Sequence, residues 1–293
     1  MNLALTVLEI VAPVFLLAAV GFTWVKCGIE YRMAFVTQMA MTLSLPCLVF
    51  VSLMQTEIER TALAALSFAS IAAYGAITVV MLGLVALLRL NRQTFAAPLI
   101  FGNTGNLGLP LALFAFGDVG LSYAIVVFAI MAIWSFTFGV WLVAGAGSFG
   151  KVLREPLVGA TLLGALFLWQ GWKTPVFLTN TLDLIGQMVI PLMLITLGVA
   201  VARLKAGGLL RATGLSLVKL VICVGVAWFA GDMFELEPVA FGVLVLQVAT
   251  PVAVTSYMLA EKYGAKAEDV AGLVVASTLM SVAALPVLLA MVL

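Results

Sequence analysis

Apolar stretches of about 20 residues follow one another along nearly the whole of this 293-residue chain, separated by connections too short to fold by themselves. At 1.5 Å of rise per residue, such a stretch as a helix crosses a hydrocarbon layer of roughly 30 Å. The sequence predicts ten spans, at residues 3–25, 33–54, 63–89, 94–116, 120–146, 154–172, 177–202, 209–230, 238–260 and 268–292. A water-soluble domain could not hide a composition that is 65% hydrophobic and 9% charged, so the expected solvent is the lipid bilayer and the fold class all-α membrane protein. The first stretch has neither a basic leader nor a small-residue cleavage site, which predicts a retained span and not a signal peptide.

Lys and Arg set the expected orientation. Connections 1–2, 3–4, 5–6, 7–8 and 9–10 carry Lys26, Arg32, Arg89, Arg92, Lys151, Arg154, Arg203, Lys205, Arg211, Lys262 and Lys266. The opposite side carries only Arg60 and Lys173, so both termini are expected outside, in the inner membrane of a bacterium. The net charge of +1 offers no surface for nucleic acid. With no His, and with Cys27, Cys47 and Cys223 scattered, neither a metal centre nor a His-based acid–base site is expected. No cofactor is called for, beyond the possibility of Na⁺ or H⁺ as a coupling ion.

The prolines divide the chain. Pro13 and Pro156, Pro46 and Pro191, Pro98 and Pro238, and Pro110 and Pro251 form pairs offset by 143, 145, 140 and 141 residues. The third pair shares a phrase, Pro98-Leu-Ile-Phe101-Gly102 against Pro238-Val-Ala-Phe241-Gly242, and Asn106 and Gln247 each stand four residues before the last pair. Two repeats of five spans, residues 1–146 and 154–293, must enter the membrane in opposite senses because five is odd. Inverted repeats of this kind are the architecture of alternating-access carriers.

Spans 4 and 9 are expected to break. Span 4 contains Gly102, Gly105, Gly108, Asn103, Asn106 and Pro110; span 9 reads Gln247-Val-Ala-Thr250-Pro251-Val-Ala-Val-Thr255-Ser256. Glycine and proline cost about 1 and 3 kcal/mol relative to Ala inside a helix, and lipid cannot satisfy the freed backbone groups. Half-helices starting at Pro110 and Pro251 would aim their positive ends at the protein centre and hold an anion without arginine. The carbonyl ends of the preceding halves could hold a cation or water. Asn103, Thr104, Asn106, Gln247 and Thr250 would orient the ligand, with the three glycines and two prolines as crossover or hinge positions.

Two further positions are candidates. Ser44, two residues before Pro46, could line the cavity or bond a carbonyl one turn back. Lys219 lies inside span 8, with Ser216 and Cys223 on its face. It could attract a carboxylate, replace a coupling cation, or snorkel to the cytoplasmic interface. Asp183 and Glu9 lie near outer span ends, and Asp118, Asp232, Glu235 and Glu237 suit a solvated outer rim.

The phrases Asn103-Thr-Gly-Asn-Leu-Gly-Leu-Pro110, Gln247-Val-Ala-Thr-Pro251, Ala260-Glu-Lys-Tyr263, Leu285-Pro286 and Leu45-Pro46-Cys-Leu-Val-Phe50 resemble, in order over essentially the whole chain, the auxin efflux carrier family. That family includes the plant auxin exporters and bacterial transporters assigned to malate, malonate or related carboxylates. The resemblance implies a bile-acid-symporter-like fold with crossed, broken helices 4 and 9. It implies a scaffold of helices 1, 2, 6 and 7 (residues 3–54 and 154–202), often dimeric. Helices 3–5 and 8–10 (residues 63–146 and 209–292) would move as an elevator. Asn103 matches the family's ligand-contacting amide, and Pro110 and Pro251 its crossover prolines. The plant exporters' long cytoplasmic insert is absent, and residues 61–89 hold no acid to match a plant-type carboxylate.

A secondary carrier of a small organic anion is therefore the expected function. A cation/proton antiporter of similar architecture would need a buried Asp or Glu at the crossing, and spans 4 and 9 carry none there. An intramembrane enzyme would need a nucleophile with its base, or paired acids for Mg²⁺, and these are missing too. A non-transporting receptor is separable only by measuring flux.

Overall fold

The computed structural model describes residues 3–56, 58–144, 156–204 and 207–293. Regular structure among them is helical: α1 (Leu3–Lys26), α2 (Met33–Gln55), α3 (Arg60–Leu87), α4 (Arg92–Ile100), α5 (Thr104–Val143), α6 (Pro156–Gln170), α7 (Val176–Arg203), α8 (Leu209–Met233), α9 (Pro238–Val248), α10 (Val254–Lys262) and α11 (Ala267–Val292). Of these, α1, α2, α3, α5, α7, α8 and α11 are long and apolar enough to cross a membrane, and α6 and α9 are shorter apolar helices. The ten spans drawn from the sequence cut these helices differently. The fourth is shared by α4 and the start of α5, the fifth is the rest of α5, and Gly117 stands between them with φ 64° and ψ −155°. The residue 146/154 boundary between halves, with Lys151, Arg154 and Lys205, lies outside the described residues.

Prolines shape the helices locally. A proline lacks an N–H, and its ring crowds the carbonyl four residues back, so the turn before it must open. In α2 a π turn at Ala40–Ser44 precedes Pro46, and in α5 another at Thr104–Gly108 precedes Pro110. In α7 the helix is interrupted at Met188, three residues before Pro191. A π turn absorbs the misfit without ending the helix.

Packing separates two sets of helices. α1 lies along the second part of α7, so close that a Cβ on Gly21 would collide with the Ile195 carbonyl and one on Gly198 with that of Ala18. The small residues let the two backbones touch, the usual basis of helix association in lipid. α2 packs on α6 and on the first part of α7. In the other set, α8 packs on α3, α9 and α11, while α5 lies against α3 and α9. Chain connections fall at two ends. Arg203 donates to the Tyr31 carbonyl at 2.8 Å at the base-rich end, and Arg60 to the Trp169 carbonyl at 2.8 Å at the other. Trp24, Trp169 and Trp172 are exposed near these ends, as interfacial anchors are.

Candidate functional site: two interrupted helices in antiparallel contact

Both expected breaks are present. α4 ends at Ile100, Phe101 is extended (φ −97°, ψ 129°), and helix resumes at Thr104. α9 ends at Val248, and helix resumes at Val254 after the extended Ala253 (φ −65°, ψ 134°). The extended pieces run past each other in opposite directions. Gly102 and Val252 form an isolated antiparallel bridge, and the Asn103 N–H donates to the Pro251 carbonyl at 2.7 Å. The Val252 N–H donates to Ser277 Oγ at 3.0 Å, so α11 caps the second break. Protein thus satisfies backbone groups that lipid could not.

One expectation is corrected. The resuming half-helices begin at Thr104 and Val254, not at Pro110 and Pro251. Pro110 sits beyond the π turn, where the wider turn tolerates its missing N–H, and Pro251 lies in the extended strand and supplies its carbonyl to Asn103. The electrostatic consequence survives. Each resuming helix starts within two residues of the bridge, so its unpaired first-turn N–H groups and roughly half a positive charge lie beside it. The carbonyl ends of α4 and α9 approach it from the other direction.

The polar side chains here are buried and incompletely paired. Asn103 Nδ2, Thr104 Oγ1 and Gln247 Oε1 have no hydrogen-bond partner in the protein. Gln247 Nε2 donates weakly to the Ala124 carbonyl at 3.4 Å, and the Thr250 hydroxyl donates to the Gln247 carbonyl at 2.7 Å. Such orphaned groups are expensive unless something binds them. Gly102 and Gly108 act by close approach: a Cβ on the first would strike Thr250 Oγ1, and one on the second Gln247 Oε1. Gly105 faces the Phe128 ring. All three have ordinary negative φ, so their role is clearance for the opposite segment and neighbouring side chains.

The other candidates are distributed around this contact. Asn106 lines a cavity of about 30 Å³ with Thr255, Thr37 and Thr196, closed by Met33, Met41, Met193 and Met258. Ser44 is fully buried with an unpaired Oγ, on α2 between Met41 at that cavity and Leu48 at a larger one. Lys219 is only 2% exposed and points to Cys223, Nζ to Sγ 3.8 Å, away from the base-rich end to which snorkelling would lead. It shares a cavity of about 20 Å³ with Thr250 and Pro251, behind the second break.

A cavity of about 1040 Å³ lies between the two helix sets at the end carrying Arg60. Its walls include Glu59, Asp118, Asp183 and Glu237, with Gln187 donating to Asp183 at 2.7 Å. The sequence expects Asp118 and Glu237 at a solvated rim and Asp183 near an outer span end, and it does not single out Glu59; that the four surround a hollow has no local signal. The convergence of Met33, Met41, Met193 and Met258 from α2, α7 and α10 has no local signature in the sequence. At the opposite end, Tyr31 Oη and Thr196 Oγ1 lie 2.7 Å apart, joining the α1–α2 connection to α7. Burial pushes the Tyr31 phenol upward, against the pull of the Thr196 hydroxyl and Arg203.

Similar proteins complete the picture. The family described as membrane transport protein matches residues 6–152 and 148–289. A putative malonate transporter of Rhizobium meliloti is 23% identical over 261 residues, 82% of this chain and 81% of that protein. An uncharacterized transporter of Methanocaldococcus jannaschii, MJ1031, is 25% identical over 178 residues, about half of each protein at 56%. With apolar helices throughout, two of them broken where they cross, and a family match across nearly its whole length, this chain belongs to the membrane transport protein family, the auxin efflux carrier-like transporters.

Proposed function

We propose that the protein is a secondary carrier for a small organic anion of the carboxylate class, with its substrate held beside the crossing of the two interrupted segments. The observation that carries this reading is the antiparallel contact at Gly102 and Val252, flanked by two helix N-termini and by unpaired Asn103 Nδ2. Amide donors and converging positive helix ends suit a carboxylate, as they do in other carriers with discontinuous helices. The malonate assignment of the Rhizobium relative makes malonate the first substrate to try.

In this reading the chain crosses a bacterial inner membrane ten times, as two inverted repeats of five spans with both termini extracytoplasmic. The set α1, α2, α6 and α7 is the scaffold, paired with a second copy in a homodimer, and the remaining helices carry the site past it as an elevator. Support comes from the sparse packing between the two sets and from the unequal closure of the two ends. The 1040 Å³ cavity lies at the base-poor end, while methionines close the base-rich side of Asn106. The conformation is thus outward-facing. Carboxylates on the cavity wall repel an approaching anion, which weakens its apparent affinity from that side.

Counterflow in proteoliposomes tests the proposal. Vesicles loaded with unlabelled malonate, succinate or acetate should accumulate the labelled counterpart of at least one of them saturably. Asn103→Ala should abolish this while remaining folded and inserted. Wild-type counterflow by that variant would remove the crossing from the mechanism, and non-saturating flux by the wild type would indicate a channel.

A further inference from the structure

The base-rich half of the protein holds another gap between the two helix sets, away from the crossing. A cavity of about 60 Å³ is walled by Met41 of α2, by Ala132, Ile133 and Phe136 of α5, and by Leu157 and Leu162 of α6. Two π turns border it, the one at Ala40–Ser44 in α2 and a further one at Ser135–Gly139 in α5. A π turn holds one residue more than an α turn, so neither helix lays a regular ridge against α6 there, and a gap remains. The cavity has room for several waters, but a buried water needs polar partners. Among the described residues its one polar side chain is Thr161, which already gives its hydroxyl proton to the Leu157 carbonyl at 2.8 Å. A cavity with this lining stays dry.

Its depth decides what can fill it. By helix rise, Leu162 lies about 9 Å from the start of α6, Met41 about 12 Å from the start of α2 and Ile133 about 15 Å from the end of α5. All three ends belong to the base-rich side, so the cavity sits within the hydrocarbon of that leaflet, about 15 Å thick. Ile133 and Leu162 are exposed, so the mouth opens sideways, where the medium is acyl chain. A place for a headgroup lies on the same face. Two ordinary turns take up about seven residues and the π turn about one more, which brings Trp141 back over Ile133, nearer the base-rich end. Trp141 is exposed, and the Arg92 guanidinium stacks over its ring at 4.8 Å. Arg92 has no carboxylate partner among the described residues. We propose that the cavity seats one acyl chain of an anionic phospholipid from the base-rich leaflet, with the phosphate at Arg92 beside Trp141. The seated chain braces Met41, which lines the Asn106 cavity as well. Under the carrier reading above, on which this consequence rests, such a lipid holds the base-rich end shut and favours the outward-facing conformation.

The test places the protein in phosphatidylcholine nanodiscs carrying a small fraction of phosphatidylglycerol with a diazirine in mid-chain. Illumination and peptide mapping should put most cross-links on residues 129–136 and 157–162, and unlabelled phosphatidylglycerol should compete them away. Phosphatidylcholine with the same diazirine should give about fivefold fewer, and Arg92→Gln should erase that difference. Ala132→Leu fills the cavity from α5 and should cut the cross-links about fivefold. Leu162→Trp blocks the mouth from an exposed position, where nothing must repack, and should do the same. Phosphatidylglycerol should also raise the melting temperature of wild type in detergent, but not that of Ala132→Leu, since a ligand of the folded state alone stabilises it. In reconstituted vesicles, a thiol reagent applied at the base-rich face should label Cys27→Ser/Thr255→Cys about threefold more slowly with phosphatidylglycerol present than without. Cross-links spread evenly over the lipid-facing helices, equal yields from the two headgroups, or wild-type yields from both Ala132→Leu and Leu162→Trp would each overturn the proposal. Equal labelling of the thiol variant would overturn the bracing of Met41. Cross-linking needs no transport, so it separates failure here from failure of the carrier reading, which Asn103→Ala decides.

Discussion

Gly102→Ala probes the contact between the two interrupted segments. A Cβ there would collide with Thr250 Oγ1 and stand 3.1 Å from the Thr250 carbonyl oxygen. The hydroxyl it displaces donates to the Gln247 carbonyl at 2.7 Å, closing the last turn of α9. Losing that bond costs about 0.5–1.5 kcal/mol, and overpacking adds about 1–3 kcal/mol. The sum, about 2–4 kcal/mol, should lower the apparent melting temperature by roughly 4–8 °C for a chain of this size. Gly83→Ala is the control. Its Cβ meets nothing within 4 Å on α3, so better helix propensity should make it neutral or stabilising by up to about 1 kcal/mol. Thr250→Ala removes the atom struck first, so the double variant Gly102→Ala/Thr250→Ala should lose less than the sum of the singles, by about 0.5–3 kcal/mol. Thermal unfolding in detergent, read by tryptophan fluorescence, measures all four proteins. If Gly102→Ala melts with Gly83→Ala, or if the double variant is merely additive, the two segments do not touch as described.

Other predictions follow from the same geometry. Replacing Glu59, Asp118, Asp183 or Glu237 by its amide should lower the external KM for an anion by about twofold per charge at low salt, with the effect fading near 0.5 M NaCl as screening grows; unchanged KM would mean the anion does not pass that cavity. Tyr31→Phe removes the contact to Thr196 and should destabilise the closed base-rich end by about 0.5–1.5 kcal/mol, read as faster labelling of a Thr255→Cys variant by a cytoplasmic thiol reagent. Because the Tyr31 phenol is raised above 10.0, its contribution is fully present below that value and should be lost only as pH climbs past it; a loss between pH 6 and 9 would contradict this. Gly198→Val should prevent stable folding by driving a side chain into the Ala18 carbonyl of α1, seen as loss of monodisperse protein on gel filtration.

Much of this was legible in the sequence because lipid imposes simple rules. Length and apolarity expose spans, and Gly102, Asn103, Pro110, Thr250 and Pro251 mark breaks because helical propensity fails there locally. What stayed hidden depends on partners about 140 residues apart. The sequence could not show that Thr104 and Val254, not the prolines, start the resuming helices, because a π turn and a long-range backbone bridge decide it. The direction taken by Lys219 was equally open, since its helix position permits both snorkelling and burial, and only the neighbouring α9 and α11 oxygens distinguish them. The methionine closure and the acid-walled cavity arise where α2 and α7 meet the other set, a surface with no sequence period of its own.

The most direct test is an experimental structure of the protein saturated with whichever of malonate, succinate and acetate raises its melting temperature most. The account predicts two interrupted segments passing antiparallel at Gly102 and Val252, with the carboxylate in contact with Asn103 beside the starts of α5 and α10. Continuous helices through residues 101–103 and 249–253, or a carboxylate bound elsewhere with the crossing empty, would contradict it.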